Sequence, residues 1–105
     1  MIKLTEAQRQ TAVALATLTR DAPKKLFFTV EEVRDKRLAA NNKEERNKMY
    51  LRTTHNALRQ LNQIVPQLAI DNAIGWRLTK IGYVMARSQL GIEVQYQNPG
   101  SLKED

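Results

Sequence analysis

The sequence has no cysteine, a single histidine (His55) and only 6% aromatic residues in 105 positions. The absence of cysteine excludes disulfide frameworks, thiol nucleophiles, zinc ribbons and iron–sulfur clusters. A single histidine excludes the two-histidine metal motifs, and neither a glycine-rich phosphate loop nor a nucleophile elbow is present. These absences predict a protein that is not an enzyme and that needs no metal or other cofactor.

Long hydrophobic runs are also missing. No apolar stretch approaches the roughly 18 residues that a membrane span needs, and residues 1–6 lack the charged start and apolar run of a secretory signal. We therefore expect a cytoplasmic protein with no membrane partner.

The composition is that of a folded, basic domain. Hydrophobic residues make up 42% and charged residues 27%, and 17 Lys+Arg against 11 Asp+Glu give a net charge of +6. These fractions are near the globular average. The length suits one domain, which we predict over residues 1–92, followed by a polar, flexible C-terminal tail over residues 93–105.

Hydrophobic periodicity and capping residues predict mainly helical structure. Thr5 with Gln8, and Thr29 with Glu32, have the spacing of capping boxes that start the first two helices. Asn42 with Glu45 repeats this spacing for the third helix, and Thr79 can cap the last helix. A short strand over residues 24–28 and a hairpin over residues 67–78 complete the pattern. The helices are predicted over about residues 5–20, 30–38, 43–63 and 80–90.

Two segments resemble a known family. Leu58 and Leu61 form a Leu-x-x-Leu pair, and residues 76–82 read Trp-Arg-Leu-Thr-Lys-Ile-Gly, which is aromatic-x-Leu-Thr-x-x-Gly. Over residues 26–90 the chain resembles the winged helix-turn-helix domain of small bacterial and archaeal transcription regulators. The resemblance implies a mainly α fold with a small β-hairpin (α+β), and it implies sequence-specific binding of double-stranded DNA with the third helix in the major groove.

The chain departs from this family at two places. The connection between the second and third helices is longer than the usual tight turn, and residues 63–66 replace the usual glycine after the third helix.

The excess positive charge is concentrated in the second and third helices. Residues 34–59 contain eight basic and three acidic residues, whereas the rest of the chain contains nine basic and eight acidic residues. Such a regional excess favours DNA phosphates as the partner, in a cytoplasmic, nucleoid-associated protein. The alternative is that these side chains belong only to solvated helix faces.

The third helix separates a mostly apolar stripe from a polar face free of carboxylates over residues 49–63. The residues of the stripe are Leu51, Thr54, Leu58, Leu61 and Val65. Arginine, asparagine and glutamine can read base edges in the major groove. The residues predicted to face bases are Arg52, Thr53, Asn56 and Gln60. Those predicted to face phosphates are Lys43, Arg46, Lys48, Arg59 and Arg77, with possible additions from Arg34, Lys36 and Arg37.

Other features favour protein contacts. The hairpin tip, residues 71–73, begins with Asp71, where family members often have a basic residue, and this suits a protein-interaction module such as an adaptor or anti-repressor in a larger assembly. An apolar edge of Ile81, Val84, Met85 and Ser88 suits a homodimer.

Trp76 is predicted to lie in the core, and His55 to be partly buried. RNA is disfavoured as a partner because no pair of stacking aromatics is evident.

Overall fold

The structure, a computed structural model, describes residues 2–41 and 47–95. Within these ranges it contains four helices and one two-stranded antiparallel sheet, which confirms a mainly α chain with a small β-hairpin. The elements are α1 (Glu6–Asp21), α2 (Val30–Asn41), α3 (Asn47–Gln63), β1 (Ala69–Asp71), β2 (Trp76–Leu78) and α4 (Lys80–Ser88).

Both predicted capping boxes form. The Gln8 amide donates to Thr5 Oγ1 at 3.1 Å, and the Thr5 amide donates to Gln8 Oε1 at 3.0 Å. At the start of α2 the Glu32 amide donates to Thr29 Oγ1 at 3.2 Å, and the Thr29 amide donates to Glu32 Oε1 at 3.0 Å. Each box satisfies amides that a helix start would otherwise leave without a partner.

The second helix is longer than the periodicity predicts. It continues to Asn41, three residues beyond the predicted end at Leu38, because Ala39 and Ala40 have the highest intrinsic helix propensity and do not interrupt the helix. The predicted cap of the third helix, Asn42 with Glu45, lies outside the described residues.

The strand predicted over residues 24–28 is reduced to one bridge. Phe28 and Trp76 exchange two backbone hydrogen bonds of 2.8 and 2.7 Å, and the preceding residues form no strand. Pairing does not extend beyond Phe28 in the other direction, because Thr29 already serves as the N-cap of α2. The hairpin itself is confirmed, with Ala69 opposite Leu78 and Asp71 opposite Trp76.

The core lies where α1, α2 and α3 pack on one another, with the hairpin and α4 completing it. Its largest fully buried apolar side chains are Leu15, Phe28, Val33, Leu58, Leu61, Leu68 and Leu78.

Each residue of the aromatic-x-Leu-Thr-x-x-Gly phrase has a structural role. Trp76 and Leu78 are buried, and Thr79 Oγ1 accepts the Gly82 amide at 3.1 Å as the N-cap of α4. A Cβ at Gly82 would lie 2.2 Å from the Leu68 carbonyl oxygen, so only glycine lets α4 approach the chain there. These residues therefore fix the junction between the hairpin and α4.

The packed domain extends into the segment that the sequence assigns to the tail. Gly91 adopts a φ of 69°, a left-handed conformation that favours glycine. The chain then turns back, so that the Ile92 amide donates to the Ala86 carbonyl at 3.0 Å and Val94 is buried in the core. Residues 96–105 of the predicted tail lie outside the described residues.

Candidate nucleic-acid interface

One face of α3 packs into the core. Thr54, Ala57, Leu58 and Leu61 are buried, largely as the apolar stripe predicts. The stripe was also expected to include Val65, but that side chain is 96% exposed, because α3 ends at Gln63 and position 65 no longer follows the helical period.

The opposite face of α3 is exposed. All four residues predicted to face bases, Arg52, Thr53, Asn56 and Gln60, lie on it. None of the 17 residues of α3 is acidic, so no carboxylate of the helix itself would repel a phosphate. The exposed positions confirm the predicted helix orientation; contact with bases stays a prediction.

Two of these four side chains are held by neighbouring helices. Gln60 Oε1 accepts a hydrogen bond of 2.9 Å from Gln8 of α1, and Thr53 Oγ1 accepts one of 3.2 Å from Arg37 of α2. Among the described residues, neither Arg52 nor Asn56 forms a side-chain hydrogen bond or ion pair. Arg52 and Asn56 are thus available to an outside partner, whereas Thr53 and Gln60 are positioned by the fold.

The residues predicted to contact phosphates fall into different environments. Arg59 is exposed on α3 and enters no ion pair within the described part of the chain. Lys48 belongs to the first turn of α3, but its side chain lies outside the description, as do Lys43 and Arg46 altogether.

Arg77 is the exception among the predicted phosphate contacts, because the structure buries it. The residue is 4% exposed, its Nε donates to the Leu78 carbonyl at 3.4 Å, and its guanidinium lies 5.9 Å from the Phe27 ring centroid. Every residue of β2 is buried, since the strand is paired with β1 on one edge and with Phe28 on the other. The expectation that Arg77 faces phosphate is therefore wrong for this arrangement.

The basic residues of α2 are also engaged within the domain. Arg34 pairs with Asp35 at 2.9 Å, and its side chain is 18% exposed. Lys36 Nζ lies 3.5 Å from a carboxylate oxygen of Asp21, at the end of α1.

Arg37 is buried where the first three helices meet, so it does not join the predicted phosphate contacts. Its Nη1 donates to Thr54 Oγ1 at 2.9 Å and its Nη2 donates to Gln10 Oε1 at 2.8 Å. The guanidinium carbon lies 4.5 Å from the Tyr50 ring centroid. Burial lowers the pKa of Arg37, while Tyr50 and Glu6 oppose that shift; an arginine nevertheless stays protonated at neutral pH.

The sequence contained a signal for this burial that charge counting overlooks. Val30, Val33 and Arg37 follow each other at three- and four-residue steps, the spacing of one helical face. Val33 is fully buried, so Arg37 shares the inward face of α2.

The hairpin lies beside the C-terminal end of α3. The Leu68 amide donates to the Leu61 carbonyl at 3.0 Å, and Asn62 Nδ2 lies 3.4 Å from Asp71 Oδ1. At the tip, Asn72 Oδ1 accepts the amides of Ile74 and Gly75 at 2.8 and 3.1 Å. The side chains of residues 71–74 are all exposed.

The two rings singled out in the sequence contact each other. Trp76 lies in the core as predicted, at 6% exposure. His55 meets it edge-on, with ring centroids 6.2 Å apart, but His55 is exposed. The expectation of a partly buried histidine is therefore wrong.

Within the described ranges, no three His, Asp or Glu side chains are grouped so that they could hold a metal ion. None of the helices described has the length and apolar character needed to cross a membrane. Comparisons of the chain with known protein families, with curated proteins and with solved structures find no match.

Proposed function

We propose that this protein binds double-stranded DNA as a winged-helix domain and acts as a small transcription regulator, with α3 in the major groove. The observation that carries the proposal is the exposed face of α3, which presents Arg52 and Asn56 without an internal partner among the described residues and has no carboxylate. Arginine can pair bidentately with guanine, and asparagine with adenine.

The two tethered side chains support the same role. Thr53 and Gln60 lie on the exposed face and are each held by a hydrogen bond from another helix, at 3.2 and 2.9 Å. A side chain that is already ordered loses less conformational entropy when it binds. Thr53 and Gln60 would thus contact bases or their methyl groups from defined positions.

The hairpin position also supports the proposal. It is joined to the C-terminal end of α3 by the Leu68 to Leu61 hydrogen bond of 3.0 Å, next to the helix that would enter the groove. Asp71 at its exposed tip would repel phosphates, so we assign the hairpin little of the DNA contact. Arg59, with Lys43, Arg46 and Lys48, would supply the phosphate contacts that fix the register.

The first test is binding to random-sequence duplex DNA, measured by fluorescence anisotropy across a salt series. Phosphate contacts release counterions, so log Kd should depend linearly on log salt with a slope of about 0.9 per phosphate contacted. A slope that corresponds to several contacts supports the proposal and provides the conditions for selecting the cognate site. Absence of binding even at low salt contradicts it.

A homodimer is part of this proposal, because one recognition helix covers only a half-site and two-fold symmetry doubles it. Ile81 and Val84 of α4 are 48% and 57% exposed and would form the contact. Met85 is buried, so the predicted edge is narrower than the sequence implies. Sedimentation equilibrium of the parent and of Val84→Glu tests it: a concentration-dependent dimer that the variant loses is expected.

The second candidate function, a protein-interaction module, is favoured by the hairpin. Ile70 and Ile74 are 42% and 69% exposed on either side of Asp71, which combines apolar surface with a carboxylate. A photocrosslinking residue at position 74 should then give a discrete protein adduct in nuclease-treated lysate. The same probe at the exposed Lys24 serves as the control. An adduct specific to position 74, in a chain that does not bind DNA, would favour the adaptor over the regulator.

A further inference from the structure

A groove of about 510 Å³ lies between α1 and α2, apart from the exposed face of α3. Part of its wall is apolar and accessible, formed by Val13, Ala39 and Ala40. Three cations also line it, Arg9, Lys36 and Arg37, and no carboxylate is among its described lining residues. The volume falls within the range of about 300–1,000 Å³ that small-molecule sites occupy.

Two of these cations have partners that an incoming anion could replace. Arg9 pairs with Glu6 at 2.5 Å and Lys36 pairs with Asp21 at 3.5 Å, and the two carboxylate side chains are 67% and 50% exposed. Neither carboxylate lines the groove. Ion pairs this exposed contribute little to stability, so exchanging one carboxylate for another requires little free energy.

The third cation is the buried one. Arg37 is 4% exposed and is held in place by Gln10, another lining residue, through a hydrogen bond of 2.8 Å. A guanidinium is planar, weakly hydrated and matched to the geometry of a carboxylate. Since its orientation is already fixed, binding an anion there requires little further ordering.

We propose that this groove binds a small amphipathic carboxylate, with its apolar chain against Val13, Ala39 and Ala40 and its charged end among Arg9, Lys36 and Arg37. The lining matches both halves of such a ligand. A neutral amphiphile would gain only the apolar contacts, and a small inorganic anion only the ionic ones.

The groove is connected to α3 through one side chain. The same Arg37 that lines it donates to Thr53 and Thr54 at 3.2 and 2.9 Å. A carboxylate beside the guanidinium would change the electrostatic environment of those hydroxyls and so shift the backbone signals of α3. That this shift would alter DNA binding rests on the proposed function; ligand binding itself does not.

The test is a titration of the ¹⁵N-labelled protein with sodium octanoate, followed by ¹H–¹⁵N correlation spectra in the absence of DNA. We expect saturable shifts at Val13, Thr17, Ala39 and Ala40, followed by Thr53 and Thr54. Titration with 1-octanol, which has the same chain without the charge, should give binding at least several-fold weaker.

Three surface variants locate the site without threatening the fold. Lys36→Gln should weaken octanoate binding about two- to five-fold, the effect of removing one exposed ionic contact, and leave octanol unchanged. Lys24→Gln removes the same charge at an exposed position outside the groove and should change neither. Ala40→Leu places a larger side chain in the groove and should abolish both titrations.

Non-saturable or scattered shifts would overturn the proposal, as would equal affinity for octanoate and octanol or equal behaviour of the two lysine variants. Because the titration contains no DNA, octanoate binding by a protein that does not bind duplex DNA would refute only the proposed function. DNA binding without octanoate binding would refute only this inference.

Discussion

The basic residues of α2 and α3 look alike in the sequence but differ in their environments. On α2, Arg34 and Lys36 pair with carboxylates and Arg37 is buried. On α3, Arg52 and Arg59 are exposed, and neither forms an ion pair among the described residues. Among the described residues, a regional charge excess therefore overstates the surface that is available to a polyanion, and the available part belongs to α3.

The difference follows from what surrounds each helix. Two carboxylates lie beside the basic residues of α2: Asp35 belongs to α2 itself, and Asp21 ends α1. The inward face of α2 packs against both α1 and α3, which buries Arg37. The 17 residues of α3 include no acid, and its polar face meets solvent.

The sharpest test of this comparison substitutes a buried arginine in one variant and an exposed arginine in another. Arg37→Leu removes hydrogen bonds to Gln10, Thr53 and Thr54 and leaves the hydroxyl of the fully buried Thr54 without this donor. We expect unfolding free energy to fall by about 2–3 kcal/mol, measured by urea denaturation.

Arg52→Ala is the matched control for that measurement. A surface substitution of this kind changes stability by less than about 0.5 kcal/mol. If both variants unfold like the parent, Arg37 does not hold the three helices together and the contrast between the two helices fails.

Local sequence signals predicted the fold well because they act over few residues. The capping boxes at Thr5 and Thr29 and the N-cap at Thr79 each involve a residue three positions away, and all three form. The strand over residues 24–28 was overpredicted, since its apolar run could not show that only Phe28 finds a pairing partner. Pairing depends on distant residues, which a local pattern does not contain.

The next prediction concerns binding, and its effect should be smaller than that of the core substitution. Arg52→Ala should weaken binding to a selected cognate site by about 1–3 kcal/mol and relax base preference at one position. Anisotropy on the cognate site and on its single-base variants measures both. Asn56→Ala should act similarly at a neighbouring base.

Arg34→Ala serves as the control for these variants, because Arg34 already pairs with Asp35 at 2.9 Å. It should change cognate affinity less than about two-fold, because a charge that is already paired and lies outside the interface contributes little to binding. Should Arg52→Ala and Asn56→Ala both bind like the parent, α3 does not lie in the major groove.

A smaller effect, on the salt dependence of DNA binding, distinguishes a phosphate contact on α3 from a charge on α2. Arg59→Gln should reduce the salt slope for random duplex DNA by about 0.9, the loss of one phosphate contact. Arg34→Gln removes the same charge from α2 and should leave the slope unchanged. Equal reductions by the two variants would mean that long-range charge, and not position on α3, determines binding.

The candidate site was less predictable than the fold. Helical winding placed Arg52, Thr53, Asn56 and Gln60 on one exposed face, since that orientation follows from the apolar stripe on the other. It could not show that Gln8 holds Gln60, because the two lie 52 residues apart and meet only after α1 packs on α3. Arg77 was misplaced for the same reason, since its burial depends on the Phe27 segment.

The smallest expected effect is that of lowering the pH. Acid protonates the carboxylates around α2, whereas α3 contains no carboxylate to protonate. Burial raises the pKa of Glu32. Hydrogen bonds from Lys25 and Thr29 lower this pKa by more than burial raises it, so the net shift is downward. The pKa of Asp21 is also lowered, mainly by Arg20 and additionally by Lys36. A folded-state pKa below the unfolded one contributes stability above the unfolded pKa and loses it as the pH falls through the folded one.

Unfolding free energy should therefore decline as the pH drops below about 4.5, the ordinary pKa of a glutamate. Because the Lys25 and Glu32 side chains are 48% and 34% exposed, water screens their ion pair, and we expect its share to stay below about 1 kcal/mol. Urea titrations at pH 7, 5 and 3 measure the decline. Glu32→Gln replaces the carboxylate oxygen that accepts the Thr29 amide with an amide oxygen, which can accept the same hydrogen bond but cannot titrate. The decline of this variant should therefore be shallower than that of the parent. An equal decline in both proteins would show that the carboxylate at the start of α2 does not contribute to the acid response.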